Sequence, residues 1–298
     1  HHMRVGKAEA LALGARGEKH RAHRGRDADA VGVHIAGEKL HRVVHRQTSG
    51  DRATGAVNVD ADVLGLVHLV EEQELRDDDV VICEVDLAMI HDSGGPRRVK
   101  PILDRLQRQV WDKDKIVVVT DHYVPADNAE TQAIQALTKQ WVQDQSIDKF
   151  YDEQGICHVV LPERGHLAPG LFCVGGDSHS PTGGAFGAYM FGIGATEMAG
   201  VLATGEIWIK VPETILMSWR NQLSAYVTAK DMMLAMCRKI GMGGGRYQAI
   251  QYAGQTIQAL SMQERMTLSN MAAELGAQAG LIAPDEATVA FVQAAGGT

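Results

Sequence analysis

Three short apolar runs, "DVVICEVDLAMI", "KIVVVT" and "GLFCVGG", each give way to an acidic residue and a histidine. Runs of this length, rich in Val and Ile, mark strands buried on both faces, as in a parallel sheet. Between the second and third, Ile134, Leu137, Trp141 and Val142 share one helical face behind a capping-box pattern of Asp127 and Glu130. Further on, Thr228 caps "AKDMMLAMCRKI" and Gly241 ends it, while Ser261 with Glu264 opens a last long helix, "MQERMTLSNMAAEL". Strands alternating with helices predict a three-layer α/β/α architecture with parallel sheets.

In open parallel sheets the ligand crevice lies at the carboxyl ends of the strands. The first run leads there to His91-Asp92, the second to Asp121-His122, and the third to Asp177-Ser178-His179. Consecutive residues of a strand or helix face different ways, so "GGDSHSPTGG" is a turn whose Asp and His must find partners elsewhere. His158 opens another apolar run, and Asn270 and Glu274, four apart on the last predicted helix, project from one face. One histidine after a strand is ordinarily a satisfied core or surface residue. Three acidic–histidine sets at three strand ends point instead to one shared site. A carboxylate on one ring nitrogen fixes the tautomer and raises the basicity of the other. Such pairs could exchange protons with an oxygen-rich substrate, or they could ligate the two divalent metals of a hydrolase; spacing leaves both open.

Residues 1–77 break this pattern. They contain no aromatic residue, since the first in the chain is Trp111, yet they hold eight of the thirteen histidines. Runs such as "EKHRAHRGRDADA" have neither helical nor strand periodicity. A metal-binding His-rich tract is one reading; low-complexity or out-of-frame sequence is the other, and it is preferred because such a composition builds no core. The net charge of −8 argues against nucleic-acid and membrane-surface partners, and an anionic substrate would need a local positive site. The uncharged stretch from Ser180 to Thr196 is too polar to span a membrane, and no apolar leader opens the chain, so a cytoplasmic protein is expected. Cys83, Cys157, Cys173 and Cys237 form no C-x-x-C and are expected as free, buried thiols.

The motifs "MIHDSGGP", "TDHYVP", "GICHVVLPERG", "GGDSHSPTGGAFGAYMFGIGATEMAGVLATGEIWIKVPETI" and "LSNMAAELGAQAGLIAPDE", in this order, closely resemble the aconitase superfamily. The likeness is strongest to large subunits of the 3-isopropylmalate dehydratase and homoaconitase type. It covers residues 78–298 and not 1–77, implying one aconitase-like domain over 78–210 and an incomplete second over 211–298. The resemblance implies a hydro-lyase that moves a hydroxyl between neighbouring carbons of a hydroxy di- or tricarboxylic acid, with a 4Fe-4S cluster as Lewis acid. It implies catalytic Asp121, His122, His158, Asp177, His179 and Glu274, with Asp121 orienting His122, Asp177 paired with His158, and Glu274 paired with His179. His91, Asp92 and Ser178 become substrate contacts, and Asn270 a cluster-side contact. The Gly-rich run 183–194 reads as a close-packed helix start rather than a dinucleotide loop. The family's three cluster cysteines have no counterpart among the four here, and the family's "CNM" reads Ser269-Asn270-Met271. The expectation is a large-subunit fragment that holds no metal or cluster and is inactive alone, with a small swivelling subunit as its family partner. A non-catalytic binding derivative is the alternative.

Overall fold

The computed structural model describes residues 33–37, 42–43, 74–75 and 77–297. The irregular, coreless character expected of residues 1–77 therefore lies outside the described residues, apart from three strands. These are β1 (Val33–Gly37), β2 (Arg42–Val43) and β3 (Glu74–Leu75). At 33–37 the backbone forms an antiparallel ladder with residues 215–219.

The first apolar run is two strands, β4 (Val80–Glu84) and β5 (Leu87–His91), not one. The break comes at Asp86, whose carboxylate accepts the Phe172 N–H at 2.9 Å while its own N–H donates to the Phe172 carbonyl. β5 is the centre of a five-stranded parallel sheet with β6 (Ile116–Thr120), β7 (Phe150–Asp152), β8 (Phe172–Gly175) and β9 (Tyr189–Gly192), in the order β7-β6-β5-β8-β9. β4 instead pairs antiparallel with β10 (Glu206–Lys210), and both alternate between exposed and buried positions.

Helices α1 (Pro96–Leu106), α2 (Ala129–Asp144), α3 (Cys157–Glu163) and α4 (Ala195–Thr204) connect these strands. Alternate side chains of β5 go to opposite faces of the sheet. Ala88 and Ile90 pack with Val99 of α1, Trp141 of α2 and Leu202 of α4. Leu87 and Met89 pack with Val160 and Leu161 of α3. This two-sided burial explains the unbroken apolar runs, each fully buried large side chain contributing about 1.5–3 kcal/mol.

A second sheet holds β11 (Thr214–Trp219), β12 (Ala249–Ala253) and β13 (Ala279–Ile282) in parallel, with β1 antiparallel at its edge. The boundary expected between residues 210 and 211 thus falls between strands of different sheets. Around the second sheet lie α5 (Ala229–Ile240), α6 (Gln255–Gln258) and α7 (Met262–Asn270), while α8 (Glu286–Ala294) packs Phe291 and Val292 into the cluster of Val160 and Leu161 on α3. Met217, Ile250 and Tyr252 meet Met232, Met233 and Met236 of α5 and Leu268 of α7.

Local readings need three corrections. The capping box of α2 is Asn128 with Thr131, one residue beyond the Asp127–Glu130 pattern; the Asn128 side chain accepts the Thr131 N–H at 3.0 Å. The helix opened by Ser261 stops at Asn270, since the chain then tightens into turns ending at Gly276 with φ +70°, and α8 follows it as the last helix. The Gly-rich run is the end of a 3-10 helix (Ser180–Phe186), then β9 and the approach to α4.

Within that 3-10 helix, a Cβ on Gly184 would stand 1.9 Å from the Gly280 carbonyl oxygen on β13. Backbone meets backbone there, so neither side can rotate away. Gly184→Ala should cost about 1–3 kcal/mol by overpacking. A thermal melt checks this, and an unchanged melting temperature would contradict the tight contact.

Candidate active site

The five-stranded sheet runs outward from β5 in both directions, through β6 on one side and β8 on the other. Strand order therefore reverses between β5 and β8, the place where open α/β sheets bind ligands. His91 ends β5, Asp121 and His122 follow β6, and the turn carrying Asp177 and His179 follows β8. Gly175 closes β8 so tightly that a Cβ there would lie 1.9 Å from Ser180 Oγ. Beyond it the Asp177 carboxylate accepts the His179 N–H at 2.8 Å, and Ser180 Oγ donates to the Asp177 carbonyl at 2.7 Å. That Asx turn aims Asp177 inward.

Asp177 is the hub. Its Oδ1 lies 2.8 Å from His158 Nε2, and its Oδ2 lies 3.6 Å from His122 Nε2 and 3.9 Å from His91 Nε2. The rings of His122 and His158, above all, hold its carboxyl far below the usual carboxylate range. His122 Nδ1 is 2.6 Å from Asp121 Oδ1, and the other oxygen of Asp121 accepts the Cys157 N–H at the start of α3. One carboxylate thus fixes both the His122 ring and the helix that carries His158. Burial works to raise the Asp121 pKa, but the hydrogen bonds from His122 and Cys157 outweigh it and the net shift is downward. Asp121, then Asp177, pushes His122 up to about 10. The ring is a cation held between two ionised carboxylates, so it offers a proton and not a net positive charge.

His179 Nε2 lies 3.0 Å from Glu274 Oε1. Glu274 reaches it from the turns after α7, not from a shared helical face with Asn270. The Asn270 amide donates to Thr182 Oγ1 at 2.9 Å, a contact that nothing in the sequence reading singled out. Exposed Ser178 places its Oγ 3.3 Å from His179 Nδ1.

His91 and Asp92, expected as substrate contacts, both bond to backbone groups of the surrounding loops. Asp92 is 0% exposed; its oxygens accept the backbone N–H groups of Ser93, His122 and Tyr123 at 2.9–3.1 Å. It shapes the loop after β6. His91 is buried, with Nε2 donating to the Gly176 carbonyl at 3.0 Å and Nδ1 accepting the Gly94 N–H at 3.4 Å. Those partners set a neutral ring, and burial, then the charge of His122, lowers its pKa. It stacks on His122 with centroids 3.9 Å apart, supporting that ring from behind.

A cavity of about 550 Å³ opens beside the cluster, with His158, Asn270 and Glu274 on its polar edge and Val159, Met266 and Phe291 among its apolar walls. His122, Asp177 and His179 lie outside this lining.

Among the described residues, ligand atoms of His91, Asp92, Asp121 and His122 come within 4.8 Å of one another, close enough to surround a metal ion. Each is already committed, however: His91 and Asp92 to backbone, Asp121 to His122 and Cys157. An iron–sulfur cluster takes thiolates converging on one point. All four cysteines are free, three of them buried, and burial pushes the Cys83 thiol up to about 12 and raises the others too. None of them joins the ligand group at the crevice. The residues present do not fit such a cluster.

The model of the aconitase family (aconitate hydratase) matches residues 62–298, so the likeness begins earlier than residue 78. A 3-isopropylmalate dehydratase large subunit of Methanopyrus kandleri is 44% identical over 221 residues, covering 74% of this chain and 53% of the relative. The methanogen homoaconitase large subunit of Methanocaldococcus jannaschii is 43% identical over 216 residues, covering 72% of this chain and 51% of its own length. A 3-isopropylmalate dehydratase large subunit of Aquifex aeolicus is 36% identical, with 74% and 52% covered. The chain spans about half the length of the curated relatives it matches.

Proposed function

Because the chain belongs to the aconitase family, we propose that it forms the proton-handling wall of a hydro-lyase active site. The reaction moves a hydroxyl between adjacent carbons of a hydroxy di- or tricarboxylic acid by dehydration and rehydration. The observation that carries this reading is the convergence of three carboxylate–imidazole pairs, Asp121–His122, Asp177–His158 and Glu274–His179, around one turn at the switch point. His122, cationic at neutral pH and more than a third exposed, donates the proton that lets a hydroxyl leave as water. Asp177 keeps the His158 ring oriented, and Glu274 does the same for His179. Ser178 and Asn270 sit at the rim as contacts for substrate oxygens or a neighbouring group.

Aconitase family members generally carry a 4Fe-4S cluster, which supplies Lewis-acid activation of the hydroxyl when bound. The cysteines described here do not fit it, so this chain's part is protonic. The relatives are named large subunits, which makes a small subunit the natural partner. No helix among the described residues is long and apolar enough to cross a membrane; a cytoplasmic enzyme of branched or extended hydroxy-acid synthesis is the setting we infer.

A chimera tests the proposal: this chain joined to the remaining half of the M. kandleri relative, loaded with iron and sulfide, and assayed with a small subunit. Hydration of an unsaturated di- or tricarboxylate, lost at least about 100-fold in His122→Ala, is the expected result for a general acid. A folded, cluster-bearing chimera without turnover on isopropylmalate, homocitrate or citrate would overturn it.

A further inference from the structure

Among the described residues four buried side-chain atoms have no hydrogen-bond partner, Trp219 Nε1, Tyr252 Oη, Ser269 Oγ and Glu274 Oε2, and two of these bear on the Glu274–His179 pair. One is the hydroxyl of Tyr252, a residue 1% exposed near the end of β12. The other is Oε2 of Glu274, the oxygen not engaged by His179. Glu274 lines the cavity, with its charge near enough to act on the Tyr252 hydroxyl. Tyr252 lies in the apolar cluster that includes Met271 and Leu275, which flank Glu274 in sequence, with Cys237 at its edge.

A buried donor or acceptor without a partner costs about 1–3 kcal/mol. Here the two are complementary, a phenolic O–H and a carboxylate oxygen, and buried water commonly joins such groups. We propose that Tyr252 is a positioning residue for the Glu274–His179 pair, its hydroxyl donating through one buried water to Glu274 Oε2. With Oε2 tethered, the carboxylate cannot rotate, and Oε1 stays aimed at His179. Burial, then the charges of Cys237 and Glu274, raises the Tyr252 pKa, so the phenol remains a donor at any working pH. The significance for catalysis rests on the proposed function; the positioning itself does not.

The test is imidazole ¹⁵N NMR of the chain, with and without Tyr252→Phe, which removes one oxygen and little volume. The expected result is that the His179 ring resonances move toward the tautomer mixture of a free imidazole, while those of His122 and His158 stay in place. A purely structural role would lower the melting temperature and leave the His179 signals where they were, and that outcome overturns the proposal. Should Tyr252→Phe not fold, the unsubstituted chain decides: the Tyr252 hydroxyl proton must show slow exchange and a cross-peak to a bound water, and its absence is equally fatal. Turnover plays no part in these readouts. A His179 shift in a chain whose chimera proves inactive would keep the positioning and remove only the catalytic reading.

Discussion

Asp285→Ala is expected to destabilise the fold by about 3–5 kcal/mol, the usual cost of leaving a buried charge without its partner. That charge is Arg265, 1% exposed in the middle of α7. Its two terminal nitrogens each donate to an Asp285 oxygen at 2.7 Å, and its remaining donors reach the Leu260 and Gln258 carbonyls and Thr288 Oγ1. Asp285 also caps α8, accepting the Thr288 N–H at 3.1 Å. One carboxylate therefore neutralises a buried guanidinium and starts a helix, and the second role adds about 1 kcal/mol. Arg265 holds the Asp285 carboxyl below the usual carboxylate range. With the folded pKa depressed, the contribution is complete above the ordinary carboxylate value and is lost only as acid passes below it. Urea unfolding at neutral pH measures the effect. Adding Arg265→Met to Asp285→Ala should recover part of the loss, because an apolar residue needs no counter-ion there. A single-variant loss under about 1 kcal/mol would show that water reaches Arg265 and that the pair is not the clamp described.

Such a clamp was invisible in the sequence: an arginine inside a polar helix and an aspartate twenty residues later look like ordinary surface charges. What could be read depended on how locally each feature is encoded. β5, β6 and β8 are buried on both faces, so they appear as unbroken apolar runs, and the polar residues where the runs stop mark the crevice. β12 and β13, "AIQYA" and "AGLI", carry Gln, Ala and Gly and lack that contrast. The partners of Asp177 and His179 lie 19 and 95 residues away, which no spacing rule reaches; family resemblance supplied them. The backbone partners of Asp92 escape the sequence for a related reason. Its ligands are backbone N–H groups of the loop after β6, and backbone donors leave no mark in a sequence.

His122 should titrate at about 10 in the isolated chain, far above an ordinary imidazole. Two carboxylates bring this about unequally. Asp121 is in hydrogen-bond contact at 2.6 Å, whereas Asp177 stands 3.6 Å from the opposite nitrogen. Asp121→Asn should therefore lower the midpoint more than Asp177→Asn does, and the asparagine can still accept the Cys157 N–H that holds α3 in place. His91 does not oppose the charge, because its backbone partners and burial keep the stacked ring neutral. The raised pKa also fixes the sign of the stability change. The contribution of His122 is fully present below the ordinary value of 6.5 and is lost as pH rises through about 10. Its size is modest, since a ring 36% exposed is partly screened by water. Melting curves of the unsubstituted chain should fall between these pH values, and those of Asp121→Asn should flatten. Imidazole ¹⁵N titration reads the midpoint directly. A His122 that loses its proton near 6.5 would mean that neither carboxylate faces it in solution, and the general acid would have to be sought among the other rings.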